Sequence, residues 1–186
     1  AGHAIVTYLT APTKDVFKAT IIPRQSFLGM VLPIEREETY IQDKNQILAE
    51  IKIYLGSYVA EKLKFGFTTA GVDADFQQAA YYAHDMVWRW GMGPSGILGN
   101  YSALEQRRTA RWQSNFGKSV ISEKLKEQLD NDTQQILKTC LKEVEGLLTS
   151  ERALLDRFAQ ELIKKEELEY DEIDAIFKEF GKSRPS

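Results

Sequence analysis

Apolar positions recurring every three to four residues dominate this chain and predict a mainly α-helical domain. Asp43 can cap a helix whose Gln46 reciprocates, and Ile47, Ile51, Tyr54, Leu55, Tyr58, Val59 and Leu63 then recur at helical spacing up to a break at Phe65-Gly66. A second helix runs from about Asp75 to Trp90, with Phe76, Ala79, Ala80, Ala83, Val87 and Trp90 sharing one face as its predicted core side. Leu125, Leu129, Ile136, Cys140, Val144 and Leu147 mark a long helix from Ser122 to Leu148. Ser150 is then expected to cap a further helix carrying Leu154, Leu155, Phe158, Leu162 and Ile163, followed by a shorter one with Ile173, Ile176 and Phe177. The last third thus reads as a helical hairpin or bundle.

The period changes to that of a strand in only two places. Phe17 to Pro23 has β-branched enrichment and a bounding proline, and Phe27 to Leu32 is closed by Pro33. Two such pieces make a minor sheet that needs helices packed on it. Ala1 to Leu9 reads as part of a helix with no cap and no initiator methionine, as though cut from something longer. Gly91 to Val120, rich in glycine at its start and without a clean period, is expected as a long loop with local order. The division that follows is a core lobe over 1–92, a long loop over 93–120, a C-terminal helical lobe of the same domain over 121–180, and a tail over 181–186.

Composition narrows the function. A chain of 186 residues that is 43% hydrophobic can bury a substantial core. Its formal charge of -3, with acidic and basic residues interleaved, lacks the concentrated positive field of a nucleic-acid binder, so no nucleic acid is expected as partner. The single cysteine, Cys140, sits in an apolar helical series and suggests a core role in a reduced compartment. No apolar run approaches the roughly 20 residues that span a bilayer. Nucleophilic catalysis is disfavoured, because there are two histidines, no G-x-S-x-G elbow, and a cysteine on a buried face. Neither a Walker A sequence nor a G-x-G-x-x-G turn after a strand is present, so any ATPase lies elsewhere.

A metal site is the remaining chemistry. His3 follows Ala1-Gly2 on a helix and fits the second histidine of an H-E-x-x-H motif, in which two imidazoles one turn apart bind zinc and the glutamate between them serves as general base. A lone helical histidine is more often structural. His84 cannot share a metal with Asp75, nine residues away on the opposite side of one helix, and reads as a surface or satisfied-core histidine. Asp75, in a first turn, reads either as a helix-dipole carboxylate or as a ligand reaching another helix.

From these residues outward the chain resembles the FtsH peptidase family, in order from Ala1 to about Phe180. Ala1-Gly2-His3-Ala4 looks like the second half of that family's H-E-A-G-H-A. Thr20 to Arg24, Leu28-Gly29 and Leu32-Pro33 match its strand region, and Leu55-Gly56, Ala60-Glu61, Leu63 and Phe65-Gly66 match its L-G-G-R-A-A-E-x-L and F-G segment. Thr68-Thr69, Asp75-Phe76 and Ala79 resemble its T-T-G-A-x-x-D-L-x-x-A, and Met86-Val87 with Trp90-Gly91-Met92 its M-V-x-x-W-G-M. Ser57-Tyr58-Val59 departs from it, standing where the family shows G-R-A. One extra residue between Thr69 and Asp75 leaves Asp73 as a rival ligand; the register of Phe76 and Ala79 favours Asp75.

The resemblance implies a zinc metalloendopeptidase with His3 as second and Asp75 as third zinc ligand, and with the first histidine and the general-base glutamate immediately before Ala1. It implies strand-addition binding of unfolded polypeptide along Phe27, Leu28, Gly29 and Met30. It further implies an attached AAA ATPase domain, a homo- or hetero-hexameric ring, and anchoring in a membrane (bacterial inner membrane, mitochondrion or plastid) through a segment absent here. The chain as written is expected to be inactive. The competing reading is a degenerate, catalytically inactive peptidase-like scaffold or chaperone component of an AAA ring, and the two residues before Ala1 decide between them.

Overall fold

The computed structural model describes residues 1–23, 29–36, 41–110 and 121–183, with 106–110 described by backbone alone. Among the described residues it holds seven α-helices and one three-stranded sheet, in the order α1 (Gly2–Thr10), β1 (Lys14–Thr20), β2 (Met30–Glu35), α2 (Lys44–Phe65), a 3₁₀ turn (Ala70–Val72), α3 (Asp73–Trp88), α4 (Tyr101–Ala110), α5 (Glu123–Ser150), α6 (Arg152–Lys165), β3 (Glu167–Glu169) and α7 (Tyr170–Glu179). The mainly α reading with a minor β element therefore holds.

Helix α2 begins where its chemistry says it should. The Asp43 side chain accepts from the Gln46 amide at 2.9 Å and the Gln46 side chain accepts from the Asp43 amide at 2.8 Å, a reciprocal box that satisfies two orphan donors. It ends at Gly66, whose left-handed conformation lets its N–H return to the Lys62 carbonyl. Arg152 of α6 donates to the free Leu63 carbonyl at 2.7 Å, fastening this end to the C-terminal part of the chain. The strand order is β2-β1-β3, all antiparallel, so β2 is an edge strand. β1 carries a bulge between Val16 and Lys18. β3 pairs with Lys18 to Thr20 and brings the end of α6 back onto the first strand. Lys14 Nζ bonds the buried Glu50 carboxylate of α2 and lies 3.3 Å from Glu35 of β2, tying sheet to helix.

One continuous core runs from Ile5 of α1 through Ile51 and Leu55 of α2, Ala83 and Met86 of α3, and Leu129 and Val144 of α5, to Phe158 of α6 and Phe177 of α7. Tyr8 and Phe177 stack with centroids 3.6 Å apart and planes 4° from parallel, joining α1 directly to the last helix.

Several expectations change. Strand β1 starts at Lys14, and Pro33 lies inside β2 instead of closing it, which an edge strand permits because proline's missing donor costs no ladder bond on the open side. Ser150 ends α5, its hydroxyl donating back to the Leu147 carbonyl, and the cap position of α6 is Glu151. Within α3 the inward side is Ala79, Ala83, Met86 and Val87, while Phe76 and Ala80 are exposed; the helix ends at Trp88, so Trp90 lies beyond it and is exposed, and Ile163 is exposed on α6. The segment 93–120 contains α4, started by the Asn100 side chain accepting from the Ala103 amide at 2.9 Å. Its polar sequence has no apolar stripe for a period to reveal. Residues 111–120, and the expected ligand-binding positions Phe27 and Leu28, lie outside the described residues.

Candidate metal-binding site

The site forms where α1, α2 and α3 meet, and two glycines set its geometry. A Cβ on Gly2 would lie 2.2 Å from the Gly56 carbonyl oxygen, and one on Gly56 would lie 3.1 Å from the Gly2 oxygen. Only residues without a Cβ let these backbones approach so closely. The residues that follow each glycine, His3 and Ser57, are thereby brought to the same place. Asp75 arrives from the first turn of α3, whose approach is held by Glu61 of α2 accepting from the Thr69 amide at 2.8 Å and from the Thr69 hydroxyl at 3.2 Å. Thr69 in turn caps the 3₁₀ turn through the Gly71 amide.

His3 Nε2 lies 3.1 Å from Asp75 Oδ2. This ring nitrogen is buried and no hydrogen bond of good geometry reaches it, the Asp75 oxygen being the polar atom set beside it. A buried polar nitrogen without a hydrogen bond is costly and calls for a partner. Two atoms each 2.0 to 2.2 Å from a tetrahedral zinc ion would be about 3.3 to 3.6 Å apart, a few tenths of an ångström more than the separation found. The donor types, histidine nitrogen and carboxylate oxygen, are also those zinc takes. Among the described residues, no group of three or more His, Cys, Asp or Glu side chains converges, so the pair supplies two donors and no third.

Burial by itself would raise the Asp75 carboxyl. The His3 ring and the Ser57 hydroxyl, which donates to Asp75 Oδ2, outweigh it and hold the group below its ordinary 3.8. The anion is thus favoured where a metal would need it. Asp73, the rival, is exposed in the same first turn. His84 is surface-facing and stacks on Trp88 with centroids 5.0 Å apart. Beside the site, Tyr58 and Phe76 rings meet at 5.0 Å, with Lys62 over the Tyr58 face.

Sequence reasoning brought His3 and Asp75 forward but gave Ser57, Glu61 and Thr69 no role at the site. Glycine inside a helical pattern was the available signal for Ser57, since an interior Gly56 marks a close backbone approach next to it. Of the expected peptide-binding residues, Met30 opens β2 opposite Thr20, and a Cβ on Gly29 would lie 3.0 Å from the Thr20 oxygen.

A mainly α domain in which two helices set a histidine nitrogen beside a carboxylate, next to a small sheet whose β2 has no second neighbouring strand among the described residues, is the class that fold and site define. The model of peptidase family M41 matches residues 1–176. The chain is 36% identical over 174 residues to the ATP-dependent zinc metalloprotease FtsH of Borreliella burgdorferi, covering 93% of this chain and 27% of that protein. It is 36% identical over 182 residues to FtsH 3 of Conexibacter woesei, covering 94% and 23%, and 32% identical over 179 residues to FtsH of Veillonella parvula, covering 96% and 28%. The chain belongs to peptidase family M41 and is an FtsH-like peptidase domain. It spans about a quarter of the length of these relatives.

Proposed function

We propose that this chain is the peptidase domain of an ATP-dependent zinc metalloendopeptidase that degrades unfolded or membrane-associated proteins. The observation that carries the reading is the buried, unbonded His3 Nε2 set 3.1 Å from the Asp75 carboxylate. His3 and Asp75 would hold the zinc, which when bound polarises the scissile carbonyl and acidifies its water. Asp73 is left out because it is exposed and Asp75 faces His3. The first zinc-binding histidine and the general base would come from residues ahead of Ala1 in a longer parent, so the chain by itself should hold zinc weakly and not cleave peptides.

Substrate would add as a strand to the outer edge of β2, which Met30 opens and Gly29 precedes, with main-chain hydrogen bonds giving low sequence selectivity. Exposed Leu32 and Ile34 supply apolar contact along that strand. The relatives' printed names, ATP-dependent zinc metalloproteases, support an ATPase partner; it would be an AAA domain in a hexameric ring of a membrane-anchored parent. No helix among the described residues is long and apolar enough to cross a membrane.

Zinc content and casein hydrolysis, compared between this chain and a version extended through the residues before Ala1, test the reading. Stoichiometric zinc and chelator-sensitive cleavage in the extended form, both lost in D75N, are expected. An extended form with neither is the inactive scaffold.

A further inference from the structure

Ser57 stands on α2 one residue beyond the Gly2–Gly56 contact, where the sequence resemblance implies a glycine with no hydroxyl to give. Its Oγ has two acceptors within reach. The Tyr54 carbonyl of its own helix is 3.5 Å away, at the limit of a hydrogen bond, whereas Asp75 Oδ2 is close and is the acceptor it serves. Asp75 Oδ2 is also the oxygen that faces His3 Nε2. A short carboxylate side chain turns about two bonds, and a hydroxyl donating to one of its oxygens limits that rotation.

We propose that Ser57 is a positioning residue of the metal site: its hydroxyl holds the Asp75 carboxylate in the orientation in which Oδ2 and His3 Nε2 converge on one zinc ion. This rests on the zinc-peptidase reading above. A ligand carboxylate left without its hydrogen-bond donor keeps its charge but gains freedom, and partners of this kind govern metal affinity by about ten- to a hundredfold. A hydroxyl that merely fastened α2 to α3 would instead affect thermal stability and leave the metal untouched.

The test is made on the full-length parent, with zinc affinity measured by competition with a chromophoric chelator and with cobalt(II) substitution read by its d–d absorption. S57A is expected to bind zinc about ten- to a hundredfold more weakly and to alter the cobalt band. S57T, which keeps the hydroxyl, is expected to restore both. Wild-type protein that binds zinc, with S57A equal to it in affinity and spectrum, overturns the role of Ser57 and leaves the metallopeptidase reading standing. An S57T as impaired as S57A also overturns it, because bulk and not the hydrogen bond would then matter. Wild-type protein that binds no zinc removes both readings together.

Discussion

Cys140 is packed on the inner side of α5, almost wholly removed from solvent. Burial pushes its thiol up from an ordinary 9.0 to about 11. Between those values the unfolded chain has released a proton that the folded chain retains, so stability contributed below pH 9 is lost as pH rises toward 11. The urea midpoint of wild type is therefore expected to fall more steeply over that range than that of C140A, and parallel slopes would remove the claim. The same residue shows what a pattern of apolar positions conveys. Cys140, Val144 and Leu129 were legible as core because they recur at helical spacing and are uncharged. Asp132 and Glu50 were not, since each is a carboxylate buried only because a distant partner answers it: Ser95 on the loop after α3 for one and Lys14 of β1 for the other.

Elements whose ends carry their own chemistry were readable in place. The Asp43–Gln46 box opened α2 and Ser122 capped α5, because a cap is a contact over three residues and needs no tertiary information. The strands were less legible, for β1 and β2 stabilise each other and their limits depend on register. That register also predicts which amides of β2 are free. The Arg36 amide donates to Thr13 at 2.8 Å across the β1 side, so the alternation of a strand points the amides of Ile34 and Leu32 inward and that of Val31 outward, while Pro33, at the other outward position, has no N–H to offer. V31P should thus abolish binding of a fluorescent unfolded peptide with the helical circular dichroism retained, whereas L32P should break the sheet itself. Unchanged peptide binding by V31P would sink strand addition at this edge. The three-residue β3 had no signal of its own. It exists because Glu166, in the left-handed region at φ 62°, turns the chain and offers its carbonyl to the Ile21 amide at 2.9 Å.

At the scale of the whole molecule, the crossing of α1 over α2 decides whether there is a site. A methyl group on Gly2 would meet the Gly56 backbone at 2.2 Å, a clash that no rotamer relieves. G2A should cost roughly 1–3 kcal/mol of stability. The displaced helix should carry His3 away from Asp75 and weaken zinc binding in the extended protein. Equal stability and equal zinc affinity in G2A would mean that the close crossing is not what assembles the pair.

By itself the sequence determined the helical class, both limits of α2, the start of α5 and most of the core on the long helices, and it brought His3 and Asp75 forward as zinc-type donors, because periodicity, caps and donor chemistry are local properties of the chain. It could not determine that His3 and Asp75 lie 3.1 Å apart, that Ser57 donates to the Asp75 carboxylate, or that β3 joins the sheet. Those follow from how three helices cross and how one strand returns. Such distances are set by backbone approach and packing between segments far apart in sequence, and only the tertiary structure holds that information.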